Sequence, residues 1–231
     1  MNQKGLLIVS FGTSFADAFE SNIEPVERVI SAAFTDRTMR RAFGSGKIIA
    51  KLKKRDGLHI DTVTEALEGF RKDGFTDILI QPTFIIPGIE YDRLLADAAP
   101  FRSVFDSLVI GKPFIDTMED YEVLIKALPK AFMPAKKDAA IVLMGHGTAH
   151  FANAAYPTLE YMLHTMGYDN AYVATVEGYP DFLQVRRHLN EKGVKTVTLM
   201  PLMLVAGDHA KNDMAGEEED SWTSQLEADG M

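Results

Sequence analysis

His146 and His209 stand where side chains do chemistry. Each lies just past an apolar run of strand length: AAIVLMG at residues 139–145 before His146, and VTLMPLMLVAGD at residues 197–208 before His209. A strand that stops in a glycine-bounded turn delivers its next side chains to the carboxyl edge of the sheet, where open α/β sheets hold their ligands. Glu90 and Glu177 share that placement, after residues 78–86 and 171–176. Imidazole is both a neutral metal ligand and a proton acceptor near neutral pH. Two imidazoles and a carboxylate, open on one side, suit a borderline divalent ion such as cobalt, nickel, iron or zinc. His150, four residues after His146, reads either as a further ligand or as an outer-shell donor. The plainer reading is that polar residues at strand ends cap their own turns; recurrence at equivalent edges argues against it. His59, His164 and His188 fall in a polar loop or within amphipathic helices, where a structural or surface role is usual.

The elements that must position these residues repeat. Residues 5–14 (GLLIVSFGTS) parallel the stretch around His146, and aligning Gly12-Thr13 with Gly147-Thr148 sets Phe11 opposite His146. Residues 74–88 match 193–207 without a gap, with Pro82 opposite Pro201 and Glu90 opposite His209. A similar alignment sets Phe43-Gly44 opposite Glu177-Gly178. The chain therefore reads as an internal duplication of βα units, two lobes whose strand ends converge on a cleft.

In chain order, helices are expected to about residue 33 (with Pro25 in the early turns), over 62–73, 91–99, 121–131, 156–166 and 181–192, and around 222–228. Strands are expected at 5–10, 38–43, 78–86, 108–111, 139–145 and 171–176, and before Pro201. The first half carries an extra segment, residues 45–61, whose KIIAKLKKRDG forms a short helix stopped at Gly57. Pro129, Pro134 and the polar residues after them mark the lobe boundary, giving lobes at 1–130 and 131–231. The fold class is α/β: two similar lobes, each a mostly parallel four-stranded sheet flanked by helices. By the repeat, the second lobe lacks its last strand and helix.

With 46% apolar and 25% charged residues, the composition is that of an ordinary globular chain. Cysteine is absent, so disulfides, thiolate nucleophiles and thiolate metal ligands are excluded. The first apolar run is too short for a membrane span and lacks a signal-peptide pattern, pointing to a cytoplasmic protein with no membrane partner. A net charge of −9 argues against nucleic acid. One segment opposes that balance: Arg40, Arg41, Lys47, Lys51, Lys53, Lys54 and Arg55 occur within residues 40–55 with no acid among them. The Gly-Thr-Ser turn at residues 12–14 also admits a second reading as a phosphate loop of a flavodoxin-like protein, a weak signal shared with many helix caps.

SFGTS at residues 10–14, MGHGTAH at 144–150, VEGYP at 176–180 and MPLMLVAGDHAKNDMAG at 200–216 resemble the anaerobic sirohydrochlorin cobalt chelatases of the class II, CbiK-type group. The resemblance spans the chain. It implies insertion of Co2+ into sirohydrochlorin or its precorrin-2 precursor, in cobalamin synthesis, without ATP or an organic cofactor. Co2+ is then a metal substrate, with Ni2+, Fe2+ or Zn2+ as substitutes. It implies His146, Glu177 and His209 as metal ligands and His146, His209 and Glu90 as catalytic residues, the two glutamates being open to exchange. Ser10, Gly12, Thr13, Lys47, Lys51 and Lys54 are the expected substrate contacts, the lysines meeting carboxylates of the tetrapyrrole. Family members continue past the position of Met231. An iron chelatase of sirohaem or haem synthesis and a non-catalytic metal carrier are the alternatives, and homo-oligomer formation stays open.

Overall fold

Leu6, Leu7, Ile8 and Val9 are all fully buried, so strand β1 (Gln3–Ser10) is covered on both faces, as a central parallel strand must be. In the computed structural model, which describes residues 3–128, 138–205 and 207–231, β1 lies between β2 (Thr38–Phe43) and β3 (Phe75–Pro82). Strand β4 (Ser107–Ile110) lies outside β3, giving a parallel sheet of order β2-β1-β3-β4. The second sheet has β5 (Ala139–Gly145) at its centre, between β6 (Ala171–Thr175) and β7 (Thr196–Pro201), again all parallel. It holds three strands among the described residues.

The helices follow their sequence signals closely where a cap is present. Helix α1 runs from Ala16–Ala18 through a π-helical turn at Phe19–Ile23 into Glu24–Ala33. Pro25 is thus interior to a continuous helical run rather than in its early turns. Proline lacks an N–H and crowds the carbonyl four residues back; the π turn just ahead of it absorbs that mismatch. Helix α2 (Gly46–Asp56) is capped by Ser45 and stopped by left-handed Gly57. Helix α3 (Val63–Lys72) opens on a capping box between Thr62 and Glu65. Helix α4 (Ile89–Ala98) follows β3. In the second half come α5 (Met118–Ala127), α6 (Ala155–Thr165), α7 (Phe182–Glu191, capped by Asp181) and α8 (Trp222–Ala228, capped by Ser221).

The chain divides into two compact units between Phe114 and Ile115, ahead of the expected boundary at residue 130. Helix α5 accounts for the difference: it packs on α6, so it belongs to the second unit. Pro129 and Pro134 lie outside the described residues. The run at 78–86, read as one strand, leaves the ladder at Pro82.

Within each unit the hydrogen bonds repeat those of the other. Val9 pairs with Pro82 and Met144 with Pro201. The amides of Thr83 and Leu202 donate to the carbonyls of Val9 and Met144, and those of Gly88 and Gly207 donate to Ile86 and Val205, both at 2.9 Å. The gap-free match of 74–88 with 193–207 thus holds through the turns after the strands. The counterpart of Glu177 differs from the alignment: the amides of Ser45 and Glu177 donate to the carbonyls of Phe11 and His146. Ser45, two residues past Phe43, is its structural equivalent. Among the described residues no helix is long and apolar enough to cross a membrane.

Candidate metal centre

Because β5 is central, the chain leaves it toward β6 on one side and later reaches β7 on the other, so the carboxyl ends of β5 and β7 flank a topological switch point. The residues beyond the three strand ends are His146, Glu177 and His209. One ligand atom from each lies within 4.8 Å of the others. Ligand atoms on opposite sides of an ion held at roughly 2.1 Å are about 4.2 Å apart, so small side-chain rotations close the set around a metal. The imidazole centroids of His146 and His209 are 4.8 Å apart with the rings at 82°, presenting two nitrogens from different directions. Both histidines are half-buried and Glu177 is exposed, so the centre opens on one side.

Local structure fixes each of these side chains. His146 Nδ1 donates to the Gly147 carbonyl at 2.9 Å, and His209 Nδ1 donates to Asp213 Oδ2 at 2.5 Å; these partners are acceptors, so the tautomer they select leaves the ring lone pair on Nε2. Gly147 has φ +79°, and a Cβ there would stand 2.5 Å from the Gly178 amide nitrogen. Only glycine lets the His146 turn lie so close to the Glu177 turn. Asn153 stitches the two together: its Oδ1 accepts from the Thr148 amide at 3.1 Å and its Nδ2 donates to the Tyr179 carbonyl at 2.7 Å. Thr175 closes the base of the second turn, its amide and hydroxyl both donating to the Pro180 carbonyl.

The structure sorts the remaining candidates. His150 is not in the cluster; its Nδ1 accepts from the Ala152 amide at 3.2 Å and caps the turn that follows. Glu90 sits in the first turn of α4, the position that His209 occupies in the other unit, beside a recess lined by Val9, Phe84, Arg93, Leu94 and Asp97. Ser10 and Thr13 are both buried; the Ser10 hydroxyl accepts from Thr83, and Thr13 Oγ1 accepts from the Phe15 amide. Gly12, with φ +97°, packs against Phe43 and shapes its turn. The basic segment also divides. Arg40, Arg41 and Arg55 are paired with Asp73, Glu27 and Asp56. Lys47, Lys51 and Lys54 are exposed on α2 at spacings of four and three, which places them on one helix face. Asp213, absent from the sequence candidates, lies against His209 from four residues farther on.

Two α/β units with parallel sheets, one carrying a two-histidine, one-carboxylate cluster at a switch point, form an architecture able to hold a divalent ion. The family described as cobalt chelatase (CbiK) matches residues 4–231, and the chain belongs to that family. It is 42% identical over 229 residues to the sirohydrochlorin cobaltochelatase of Salmonella typhimurium, covering 99% of this chain and 86% of that one. It is 34% identical over 239 residues to the sirohydrochlorin cobaltochelatase CbiKC of Nitratidesulfovibrio vulgaris, covering 100% and 82%. Among solved structures, SirB from Bacillus subtilis with Fe3+ shares the fold, with a TM-score of 0.64 at 16% identity, over 98% of this chain and 84% of that one.

Proposed function

We propose that this chain is a cytoplasmic, ATP-independent chelatase that inserts Co2+ into sirohydrochlorin or precorrin-2, with no organic cofactor. The observation that carries the reading is the His146–Glu177–His209 cluster, in a chain whose full-length relatives are named sirohydrochlorin cobaltochelatases. The donor set suits Co2+, Ni2+, Fe2+ and Zn2+ alike, so the choice of cobalt rests on those relatives.

Insertion requires two pyrrole N–H protons to leave while the ion passes from protein ligands to ring nitrogens. In this reading His146 and His209 hold the ion through Nε2, and each imidazole that releases it regains a lone pair able to take one proton. Two imidazoles then match two protons. Glu177 supplies the carboxylate that balances charge, and Glu90 assists proton removal; its equivalence to His209 in the duplicated fold supports that role. Lys47, Lys51 and Lys54 meet the carboxylates of the tetrapyrrole.

The test is cobalt insertion followed by the absorption change of the tetrapyrrole, in folded His146→Ala, His209→Ala, Glu90→Ala and Glu177→Ala variants. Each histidine variant is expected to lose about 100-fold or more in kcat/KM, in the usual range for a proton-transferring group. Near-normal turnover in either one sinks the mechanism. Loss of cobalt binding in Glu90→Ala but not in Glu177→Ala would exchange the two glutamate roles, and tight cobalt binding without any turnover would make the chain a carrier.

A further inference from the structure

The two imidazoles of the centre are held by unlike partners. His146 leans on the carbonyl of its own neighbour, Gly147, at 2.9 Å, a neutral acceptor in a turn. His209 leans on a carboxylate, Asp213, at 2.5 Å. A bond from an imidazole to a carboxylate is charge-assisted, fixes the ring more firmly, and raises the donor strength of the opposite nitrogen toward a metal. Residues 209 and 213 are four apart on the helical turn that includes Ala210–Met214, so the helix itself brings the carboxylate under the ring. Asp213 has His209 as its one side-chain partner among the described residues, which leaves its carboxylate no second structural duty. The side chains of His209 and Asp213 are 30% and 45% exposed, so water screens the contact in part without removing it.

We propose that Asp213 is a positioning residue that makes the two histidine ligands unequal: His209 anchors the ion, and His146 lets go first as the ring nitrogens take over. The inference rests on the metal-delivery reading above and adds an order to it. A centre with equal ligands would have to loosen both at once, whereas a firm and a weak imidazole allow stepwise transfer with the ion never free in water.

The experiment is calorimetric titration of the metal-free chain with Co2+, together with the visible absorption of bound cobalt. Both need no tetrapyrrole, so they are read apart from turnover. Asp213→Ala is expected to weaken Co2+ binding about 10–100-fold, the usual effect of removing a histidine's outer-shell partner. Asp213→Asn, which keeps an acceptor oxygen of nearly the same shape, should recover part of that loss and serves where the alanine variant folds poorly. His209→Ala should lose more Co2+ affinity than His146→Ala. In steady state, Asp213→Ala should raise KM for Co2+ more than it lowers kcat. Unchanged Co2+ affinity in folded Asp213→Ala or Asp213→Asn, or a loss in His146→Ala equal to that in His209→Ala, overturns the inference and leaves the chelatase reading standing. A wild-type chain that binds no Co2+ removes the metal centre and this inference together.

Discussion

Gly147 decides how near His146 and Glu177 can come. Its φ of +79° lies in the left-handed region, and the Gly178 backbone occupies the space a Cβ would need. Gly147→Ala therefore combines backbone strain with a steric clash, at a cost of about 1–3 kcal/mol for the strained dihedral alone. Relief of the clash must push the two turns apart. The expected outcome is a folded variant with lowered thermal stability and Co2+ affinity reduced along with it; wild-type Co2+ affinity would show that the close approach of the turns is not what builds the centre. At this scale the sequence marked the sheet edges: His146 and His209 follow apolar runs that end in Gly and Gly-Asp, while Glu177 follows the run 171–176 and precedes Gly178. At Ser10 and Thr13, hydroxyls beside a glycine resemble a ligand loop, and they bond to Thr83 and to the Phe15 amide. Asp213 was obscured because its helical turn is short and π-wound, so no amphipathic period exposes the spacing to His209.

Helix α8 is held to α7 by one concentrated contact. The Arg186 guanidinium binds both oxygens of Asp229 at 2.6 and 2.7 Å, with Asn190 adding a third bond, while Trp222 stacks on Phe182 at 4.3 Å. Arg186 first, and Asn190 second, hold the Asp229 carboxyl down to about 2. A carboxyl depressed in the folded state binds fewer protons there than in the unfolded chain. Its contribution is complete above the ordinary value near 3.9 and is lost as pH falls toward about 2. Acid should therefore loosen this helix, reported by the fluorescence of Trp222, the chain's one tryptophan. Asp229→Asn is expected to flatten the acid side of the stability profile. An acid transition identical to wild type would mean the pair does not tether the helix. Caps such as Thr62 and Asp181 made the helices legible beforehand, since each satisfies an orphan amide that only a helix start presents. The unit boundary was not legible, because α5 chooses its partner by long-range packing on α6, which no local signal encodes.

Taken whole, the molecule carries a net charge of −9, a poor surface for a polycarboxylate. With the three arginines of the basic segment committed to Asp73, Glu27 and Asp56, the lysine face of α2 is the local exception. Replacing Lys47, Lys51 and Lys54 together by Ala should raise KM for the tetrapyrrole several-fold and flatten its dependence on salt, with kcat little changed, because such charges act through screened, long-range attraction. An unaltered KM with an unaltered salt dependence would assign the face to solvation alone. The strand order of both sheets has a further consequence, for synthesis. In each unit the strand made earliest is the central one, with both neighbours encoded downstream: β1 needs Thr38–Phe43 and then Phe75–Pro82. At ribosomal rates of about 5–20 residues per second, Leu6 to Val9 go without their second flank for roughly 3–15 s. An apolar strand with an unpaired edge is a template for wrong pairing, so shielding of residues 6–9 during synthesis is expected to raise the yield of folded chain.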